Sequence, residues 1–438
     1  MEKLQLQVKS NRFLGGEEYP LLVDTISGLP LWYPTLYATT QFRNKSSSSS
    51  SINANLQAIR FLLDWAQNLP QPIDLKQRFL AKNWLLESER ESIKAFLLKK
   101  RGDSSATTPF MLQVISLNKN IERIRRGKLA QEKSVSPQTL YHRLGYVAEY
   151  IAWFATKVLE EEGVHLSSKD SKSITAMKTV IKKMRTVSKN RNQEKGRRGL
   201  TDDQRVELLE IIEVNHPRNP FKDKRKVNLT TQVALQSRNQ LLVWFGYYLG
   251  IRDGEALNIR IKDLCFQTNT VLIARRADAI EDPRTKQPKV KTRDRRLVLA
   301  NAFAEQLFDY ITRQRNQIVP ARKHDYLFVT HKRGTTYGAP LSQSAVEKMF
   351  RIIRGSSAIL PNDLSMHVLR HTANDRFSEM VDKKGIDPEK EKKMRSYQNG
   401  WTETSNSAAG YTKRHTSEEA HKASLELQEE LESRNKNL

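Results

Sequence analysis

Residues 364–372 read Leu-Ser-Met-His-Val-Leu-Arg-His-Thr, and the rest of the chain is interpreted outward from this stretch. Its apolar residues recur at helical spacing around three basic ones, a pattern that predicts a helix with one buried face and one basic polar face. The basic residues are His367, Arg370 and His371. His367 and Arg370 stand three positions apart, so both can reach a single anion from the same side of that helix. A phosphate group suits such a pair.

Two other interpretations apply to this stretch taken alone. Most histidines and arginines on a helix are surface or structural groups. His367 and His371, four positions apart, also have the spacing of two zinc ligands. The zinc hypothesis is disfavoured, because Val368 stands where a helical metalloprotease motif needs Glu, and no cysteine or carboxylate follows at ligand spacing. We therefore expect no metal and no cofactor.

Two further stretches fit the same phosphate. An apolar run ends at Gly250, a normal C-terminal stop for a helix, and Arg252 follows with Glu255 three residues later. Far downstream, Gly400-Trp401 precedes Gly410-Tyr411.

Together these residues resemble the active-site set of the tyrosine recombinases, the lambda integrase class. Gly250-Ile-Arg252 with Glu255 is similar to the first arginine box of that family, and His367-Val-Leu-Arg370-His371 is similar to the second. The last box is usually Gly-His with the tyrosine nine residues later. Here Trp401 replaces the histidine, as in Cre recombinase, and Tyr411 follows ten residues later. The resemblance covers roughly residues 200–415.

The lysine of the family lies on a hairpin between the two arginine boxes. Residues 290–299, which begin Val-Lys-Thr, resemble the returning strand of that hairpin and favour Lys291 as the family's lysine. Lys286 and Lys289 lie in the same loop and stay open as alternatives.

The resemblance implies covalent chemistry at a DNA phosphodiester. Tyr411 would be the nucleophile, activated by nearby positive charge because a phenol has a pKa of about 10. Arg252 and Arg370 would hold the two non-bridging oxygens. His367 would accept the tyrosine proton, and Lys291 would protonate the leaving oxygen.

Three more residues have supporting roles in this scheme. Trp401 would contribute an indole N–H or packing. Glu255 would orient an arginine, and His371 would do similar work. The alternative nucleophiles are Tyr397, which has no matching box upstream, and the Tyr247-Tyr248 pair, which lies inside an apolar helix.

Composition limits the class of protein. The 438 residues suggest roughly two to four domains, and 38% hydrophobic content is enough for packed cores. Lys and Arg exceed Asp and Glu by 74 − 49 = 25, which predicts a polyanionic partner without choosing DNA over RNA. The single cysteine, Cys265, excludes a disulfide framework and a multi-cysteine zinc module. Without an apolar run of about 18 residues or a signal peptide, we expect an intracellular, soluble protein, cytoplasmic and nucleoid-associated.

The predicted domains follow the composition along the chain. Residues 1–51 form an N-terminal region that binds either an arm-type DNA site or a partner, and its serine run 46–51 predicts a flexible joint or a polar loop. Residues 52–195 form a helical core-binding domain, with helices predicted over 55–66, 87–100, 113–128 and 138–159. Asn53 is the predicted cap of the first. Residues 196–415 form the catalytic domain, and 416–438 a helix that in the family docks into the next protomer of a tetramer.

A basic segment lies where the two domains meet. Between Lys169 and Arg198 the sequence has eleven Lys and Arg residues but only two acidic residues, Asp170 and Glu194. This excess of positive charge favours contact with phosphates over a face that is merely solvated. The candidate DNA-binding residues are Lys178, Lys182, Arg185, Lys189, Arg197 and Arg198.

The catalytic domain is predicted to be α+β and mostly helical, with a small antiparallel sheet. A capping box opens it at Thr201. Residues 271–274 and 296–299 are the predicted strands, and 278–293 between them an extended hairpin tip. Helices are predicted over 302–318, 342–354 and 364–381, with a short strand over 326–330.

The function that follows is site-specific recombination by the integrase of a mobile element, acting on double-stranded DNA as a homo-tetramer on paired sites. Whether accessory DNA-bending proteins take part is left open. The alternatives are a type IB topoisomerase and a DNA-binding protein that keeps the fold without catalysis.

Overall fold

The computed structural model describes residues 3–100, 134–185, 199–222, 229–276, 279–284, 286–288, 290, 292–402, 420–421 and 423–428. The chain divides into two compact units, Met1–Gln193 and Glu194–Leu438.

The first unit is a β-hairpin packed with helices. Strands β1 (Leu6–Arg12) and β2 (Glu18–Asp24) pair antiparallel, with Val8 opposite Leu22. The helices are α1 (Trp32–Gln41), α2 (Ser49–Gln67), α3 (Leu75–Leu80), α4 (Glu87–Leu97), α5 (Pro137–Glu161) and α6 (Ser168–Lys183). Tyr19 and Leu22 from the hairpin share one buried core with Leu56 of α2 and Leu144 of α5. Residues 3–51 and the helices that follow are therefore held together by a common core.

The serine run does not form a joint. Helix α2 begins at Ser49, and the side chain of Ser48 accepts a hydrogen bond from the backbone N–H of Ser51 at 3.3 Å. A serine oxygen is well placed to satisfy a free N–H group at a helix start, so the run that looked flexible caps a helix. The predictions of a joint and of a cap at Asn53 were both wrong, whereas the helices over 55–66 and 138–159 are confirmed.

The second unit contains the small sheet and the helices that carry the candidate site residues. Its elements are α7 (Asp202–Ile211), α8 (Leu229–Leu249), α9 (Asp253–Leu257), β3 (Leu264–Cys265), β4 (Thr270–Ile273), β5 (Arg295–Val298), α10 (Asn301–Asp309), α11 (Gln343–Arg354), α12 (Met366–Lys384) and α13 (Pro388–Asn399). The strands are antiparallel in the order β3–β4–β5, with Ile273 opposite Arg295. The described residues confirm the predicted α+β fold class. Leu364, Val368 and Leu369 are buried in its core, as their spacing predicted.

Local predictions in this unit had mixed outcomes. Thr201 and Gln204 form the predicted capping box of α7. The helix predicted over 302–318 is α-helical only to Asp309. It continues as a short π-helix and then as a short 3₁₀-helix. The segment 326–330 is not a strand but makes isolated bridges, Arg260 with Tyr326 and Val329 with Pro340. Helix α13 was not predicted, although Asp387 caps it and Pro388 occupies its first turn.

The described residues of the loop between β4 and β5 do not project as an extended tip. Asp282, Arg284 and Val290 are buried within the second unit. Arg284 donates hydrogen bonds to the carbonyl oxygens of Leu257 and Leu341, both at 3.0 Å. These bonds hold the loop against the body of the unit and explain why the extended prediction was wrong.

Candidate active site

Arg252 is placed by the end of one helix and the start of the next. Gly250 ends α8 with φ +63°, a conformation that favours glycine, and Arg252 follows in an extended conformation as the residue before α9. The backbone N–H of Arg252 donates to Glu255 Oε2 at 2.7 Å. The first turn of α9 thus fixes the spacing between the arginine and the glutamate.

Glu255 is the centre of the site. It is 2% exposed, and its carboxylate lies 3.7 Å from Arg252 Nη1 and 3.9 Å from Arg370 Nη1. Arg295 donates to both carboxylate oxygens at 3.2 Å, and Thr292 Oγ1 donates to Oε1. Burial acts to raise the pKa of Glu255, but the charge and hydrogen bonds of Arg295, with those of Thr292 and the Arg252 N–H, lower this pKa below its ordinary value. One ionised carboxylate therefore gathers three arginines.

Arg370 is oriented by backbone carbonyls. It is 1% exposed on α12, and it donates to the oxygen of Gly250 at 2.6 Å and to that of Asn399 at 3.2 Å. Its guanidinium carbon lies 5.3 Å from the ring centroid of Trp401. The two arginine boxes and the tryptophan, which together span about 150 residues of sequence, thus meet at one place in the fold.

Trp401 follows Gly400, a position at the end of α13 that leaves no room for a side chain. Gly400 has φ +66°, and a Cβ atom there would lie 2.6 Å from Arg295 Nη1 and 3.0 Å from the Arg293 oxygen. The Arg293 N–H donates to Gly400 O at 3.0 Å, and Arg295 Nε donates to Gln398 O at 2.8 Å. The end of α13 is therefore bonded to the start of β5, which follows the predicted lysine.

The two histidines face each other. Their Nε2 atoms are 3.2 Å apart, so one ring carries the N–H and the other accepts it. His367 is exposed, and with Arg252 it lines a groove of about 440 Å³ that Arg351 and Arg354 of α11 also line. Asp253 and Glu347 also line the groove, but its three arginines outnumber these two carboxylates, so the groove carries net positive charge and suits an anionic ligand.

Several candidates cannot be placed. Lys291, Tyr411, Lys189, Arg197 and Arg198 lie outside the described residues, as does the alternative lysine Lys289. Lys286 is described and exposed. Among the alternative tyrosines, Tyr397 is exposed and donates from its hydroxyl to the Arg296 oxygen at 3.1 Å. In α8, Tyr247 is buried, whereas its neighbour Tyr248 is exposed.

The remaining DNA-binding candidates contact helix α5. Lys178 Nζ lies 2.7 Å from Glu149 Oε2, and Lys182 pairs with the other oxygen of the same carboxylate. The guanidinium of Arg185 lies 4.5 Å from the ring centroid of Tyr141. Burial acts to raise the pKa of Glu149, but its bonds to the two lysines hold this pKa below the ordinary value.

Sequence interpretation missed Arg295 and Thr292. A signal was present for Arg295, because side chains alternate across a strand and Arg295 falls on the same face as buried Leu297. An arginine on the buried face of a strand needs an acceptor, and Glu255 is a carboxylate in the same unit. Thr292 offered no such signal.

Two negative findings concern the residues that the structure describes. Among them, no three His, Cys, Asp or Glu side chains are grouped so as to hold a metal ion. Nor does any described helix have the length and apolar character required to cross a membrane.

Comparison with known proteins gives a family match and a curated relative, each over part of the chain. Residues 222–397 match the phage integrase family. Transposase A from transposon Tn554 of Staphylococcus aureus is 27% identical over 137 residues, which are 31% of this chain and 34% of the transposase. The match thus spans about a third of the length of this curated relative.

Solved recombinase structures also align with the chain. XerA recombinase aligns at 16% identity and a TM-score of 0.32, covering 87% of this chain and 92% of XerA. XerH recombinase bound to its difH substrate aligns at 16% identity and a TM-score of 0.36, covering 81% of this chain and 93% of XerH. The segment that matches the phage integrase family, residues 222–397, contains Arg252, Glu255, His367 and Arg370.

Proposed function

We propose that this protein is a site-specific DNA recombinase, the integrase of a mobile element, which cuts and rejoins DNA through a 3′-phosphotyrosine intermediate. The observation that carries the proposal is the gathering of Arg252 and Arg370 around buried Glu255, beside Trp401. Two fixed guanidinium groups can hold the non-bridging oxygens of a phosphodiester and neutralise the charge that develops in its transition state. The match of residues 222–397 to the phage integrase family supports the same chemistry.

The reaction exchanges one ester for another. Tyr411 Oη attacks phosphorus, a phosphorus–oxygen bond to tyrosine forms, and the bond from phosphorus to the 5′ oxygen breaks. His367 accepts the tyrosine proton, and the ammonium group of Lys291 gives a proton to the departing 5′ oxygen. The products are a 3′-phosphotyrosine and a free 5′-hydroxyl. Because the bond energy is kept in the new ester, a second 5′-hydroxyl can reverse the step on another strand.

The side chain of Arg252 includes a donor that a phosphate oxygen could satisfy. Its Nη1 atom is buried and has no hydrogen-bond partner among the described residues, although its side chain is 38% exposed overall. A buried donor without an acceptor costs about 1–3 kcal/mol, and a phosphate oxygen would satisfy it. Arg252 lines the groove that His367 also lines.

The assembly we propose is a homo-tetramer on paired DNA sites, with residues 416–438 docking between protomers and residues 1–51 contacting either DNA or a partner. Recombination needs two duplexes to be held together, which a single protomer does not provide. Such an enzyme acts where the chromosome lies, so we propose a cytoplasmic, nucleoid-associated location.

The function is tested with DNA that flanks the protein's own gene. The duplexes carry a nick a few bases from each candidate cleavage point, so that the short 5′-hydroxyl fragment diffuses away and the covalent intermediate accumulates. We expect a protein–DNA adduct on a denaturing gel, with label retained only when it lies on the 5′ side of the cleaved phosphate. Retention of the opposite label would contradict the 3′ linkage, and no adduct with any flanking duplex would contradict the proposal. Relaxation of plasmids without sequence preference would instead indicate a topoisomerase.

DNA affinity tests the basic surface of α6. We expect Lys178→Gln with Lys182→Gln to weaken binding and to lower the slope of log K against log salt by roughly 2, because about 0.9 counterion is released per phosphate contact. Glu149→Gln should act in the opposite direction, since Glu149 competes with phosphate for both lysines. The measurement is fluorescence anisotropy of a labelled duplex across a salt series.

Lys76→Gln is the matched control, because Lys76 forms a similar pair with Glu162 at 2.8 Å in the same unit. We expect its salt slope to equal that of the wild type. Equal slopes for the α6 double variant and the wild type would show that these lysines do not contact DNA.

A further inference from the structure

Two buried asparagines join helices α12 and α13 beside Arg370. Asn374 lies on α12, one turn after Arg370, and Asn399 is the last residue of α13; they are 3% and 2% exposed. Asn374 Nδ2 donates to Asn399 Oδ1 at 3.3 Å, and Asn399 Nδ2 donates to Asn374 Oδ1 at 3.0 Å. The two side-chain amides are therefore paired in both directions.

A second partner fixes the orientation of each amide. Asn374 Nδ2 also donates to the backbone oxygen of Arg370 at 2.8 Å, and Asn374 Oδ1 accepts from Arg395 Nη1 at 3.3 Å. Asn399 Nδ2 also donates to the backbone oxygen of Arg395 at 3.0 Å. Each amide group thus uses both of its N–H donors within the protein, as burial requires of a polar group. A buried network in which every donor has an acceptor holds its members in one arrangement.

The pair reaches the candidate active site through the carbonyl group of Asn399. Arg370 Nη1 donates to the oxygen of Gly250 and lies 3.9 Å from Glu255, whereas Nη2 donates to the oxygen of Asn399 at 3.2 Å. A planar guanidinium that is held at one end can still rotate about that bond, and an acceptor at the other end fixes its plane. The Asn399 carbonyl is such an acceptor.

Other bonds attach the end of α13 to a different part of the unit. Residues at and just before the start of β5 donate to the oxygens of Gln398 and Gly400, so these bonds fix the helix end relative to the sheet. The amide pair attaches it instead to α12, the helix that carries Arg370. Arg395 also attaches α13 to α12, through Ser378 Oγ at 2.8 Å, at a point farther from Arg370 along α12.

We propose that Asn374 and Asn399 act together as positioning residues for Arg370: their paired amides hold the end of α13 against α12, so that the Asn399 carbonyl fixes the plane of the guanidinium that receives the phosphate. This inference rests on the proposed function. Both side chains are buried, so their effect passes through the backbone of Asn399. Without the pair, this carbonyl moves away from Nη2 and the guanidinium turns about its bond to Gly250.

The test is a double-variant cycle on the rate of adduct formation, measured with the full chain and the nicked duplex at saturating DNA and expressed per folded molecule. We expect Asn374→Ala and Asn399→Ala each to lower this rate by about 100-fold, the cost of a displaced group in the catalytic geometry. The double variant should also fall by about 100-fold, because the second substitution removes an interaction that the first has already broken. Affinity for the uncut duplex, measured by anisotropy, should equal that of the wild type.

Asn374→Ser is a gentler variant that tests the same pair if alanine lowers the folded fraction. A serine hydroxyl on a helix can donate to the backbone oxygen four residues earlier, here that of Arg370, but it is too short to reach Asn399. The pair is lost while one hydrogen bond is kept. We expect a fall in rate of about 100-fold per folded molecule, as for alanine.

Ser378→Ala is the matched control. Ser378 lies on α12 one turn after Asn374 and also bonds α13, through Arg395. The hydrogen bonds that the structure describes for Ser378 reach neither Arg370 nor Asn399. This variant should keep the wild-type rate per folded molecule.

Each contrary result has a distinct meaning. Wild-type rates per folded molecule in both single variants would overturn the positioning role. Equal loss in Ser378→Ala would show that any weakening between α12 and α13 has the same effect, and would also overturn it. A fall of about 10⁴-fold in the double variant, the product of two independent effects, would show that the asparagines do not act as a pair. Failure of the wild type to form an adduct would instead overturn the proposed function.

Discussion

Tyr411→Phe is expected to abolish the covalent protein–DNA adduct, with a loss of about 10⁴-fold or more, because phenylalanine has no oxygen with which to attack phosphorus. Binding of the same duplex should be unchanged, since the substitution removes one hydroxyl and no charge. The adduct is measured on a denaturing gel with the nicked duplex described above, and binding by anisotropy of the uncut duplex.

Tyr397→Phe is the matched control for this prediction. Tyr397 lies in α13, four residues before Trp401, and its hydroxyl donates to the Arg296 oxygen. Loss of one exposed hydrogen bond should cost about 0.5–1.5 kcal/mol at most and leave adduct formation intact. An adduct that persists in Tyr411→Phe but disappears in Tyr397→Phe would transfer the role of nucleophile to Tyr397.

Glu255→Gln is expected to lower both stability and activity. The substitution keeps the shape of the side chain but removes the charge that faces Arg295 and Arg370, each 1% exposed at the side chain. A buried charge that loses its partner costs about 3–5 kcal/mol. We therefore expect a fall of roughly 3 kcal/mol in the free energy of unfolding, measured by urea denaturation.

The same variant should lose activity beyond its loss of stability. Without the carboxylate charge, Arg252 loses its ion pair and Arg370 keeps only its carbonyl acceptors, so the separation of the two guanidinium groups is less well fixed and they stabilise the transition state poorly. We expect adduct formation per folded molecule to fall by about 10³-fold, the cost of a misplaced oxyanion donor. The rate is measured with the nicked duplex at saturating DNA concentration, so that weaker binding does not contribute.

Glu391→Gln separates these two effects. Glu391 is 5% exposed in the same unit and pairs with Arg395, which is fully buried, so the substitution removes a comparable buried charge. Arg395 keeps its hydrogen bonds to Asn374 and Ser378. We expect a similar loss of stability with the wild-type rate per folded molecule. Comparable loss of rate in both glutamate variants would mean that Glu255 acts only through stability.

The sequence was most informative where a local rule applies. The helix end at Gly250 was marked by a glycine at a position that adopts positive φ. The apolar stripe of α5 follows from residues three and four apart, all of which pack into the core of the first unit. Periodicity and capping are properties of neighbours in the chain, so these elements were predictable.

Local rules failed where distant segments supply the missing partner. The serine run looked like a joint by composition, yet Ser48 caps a helix whose apolar face packs against the N-terminal hairpin. The loop 278–293 looked like a projecting tip because it is polar. Arg284 donates to the carbonyl oxygens of Leu257 and Leu341. Those acceptors come within its reach only when α9 and the segment before α11 have folded.

The sequence by itself determined the set of candidate catalytic residues, their order, the α+β class and the strongly basic character of the chain. Only the tertiary structure decided how Arg252 and Arg370 are held, since a buried carboxylate at Glu255 does this together with Arg295 of β5 and Thr292, which precedes that strand. The physical reason is that a buried charge needs a compensating charge or hydrogen bond. Which group supplies it depends on which residues the fold places beside that charge. Proximity between residues 255, 295 and 370 is a property of the folded chain and of no short stretch within it.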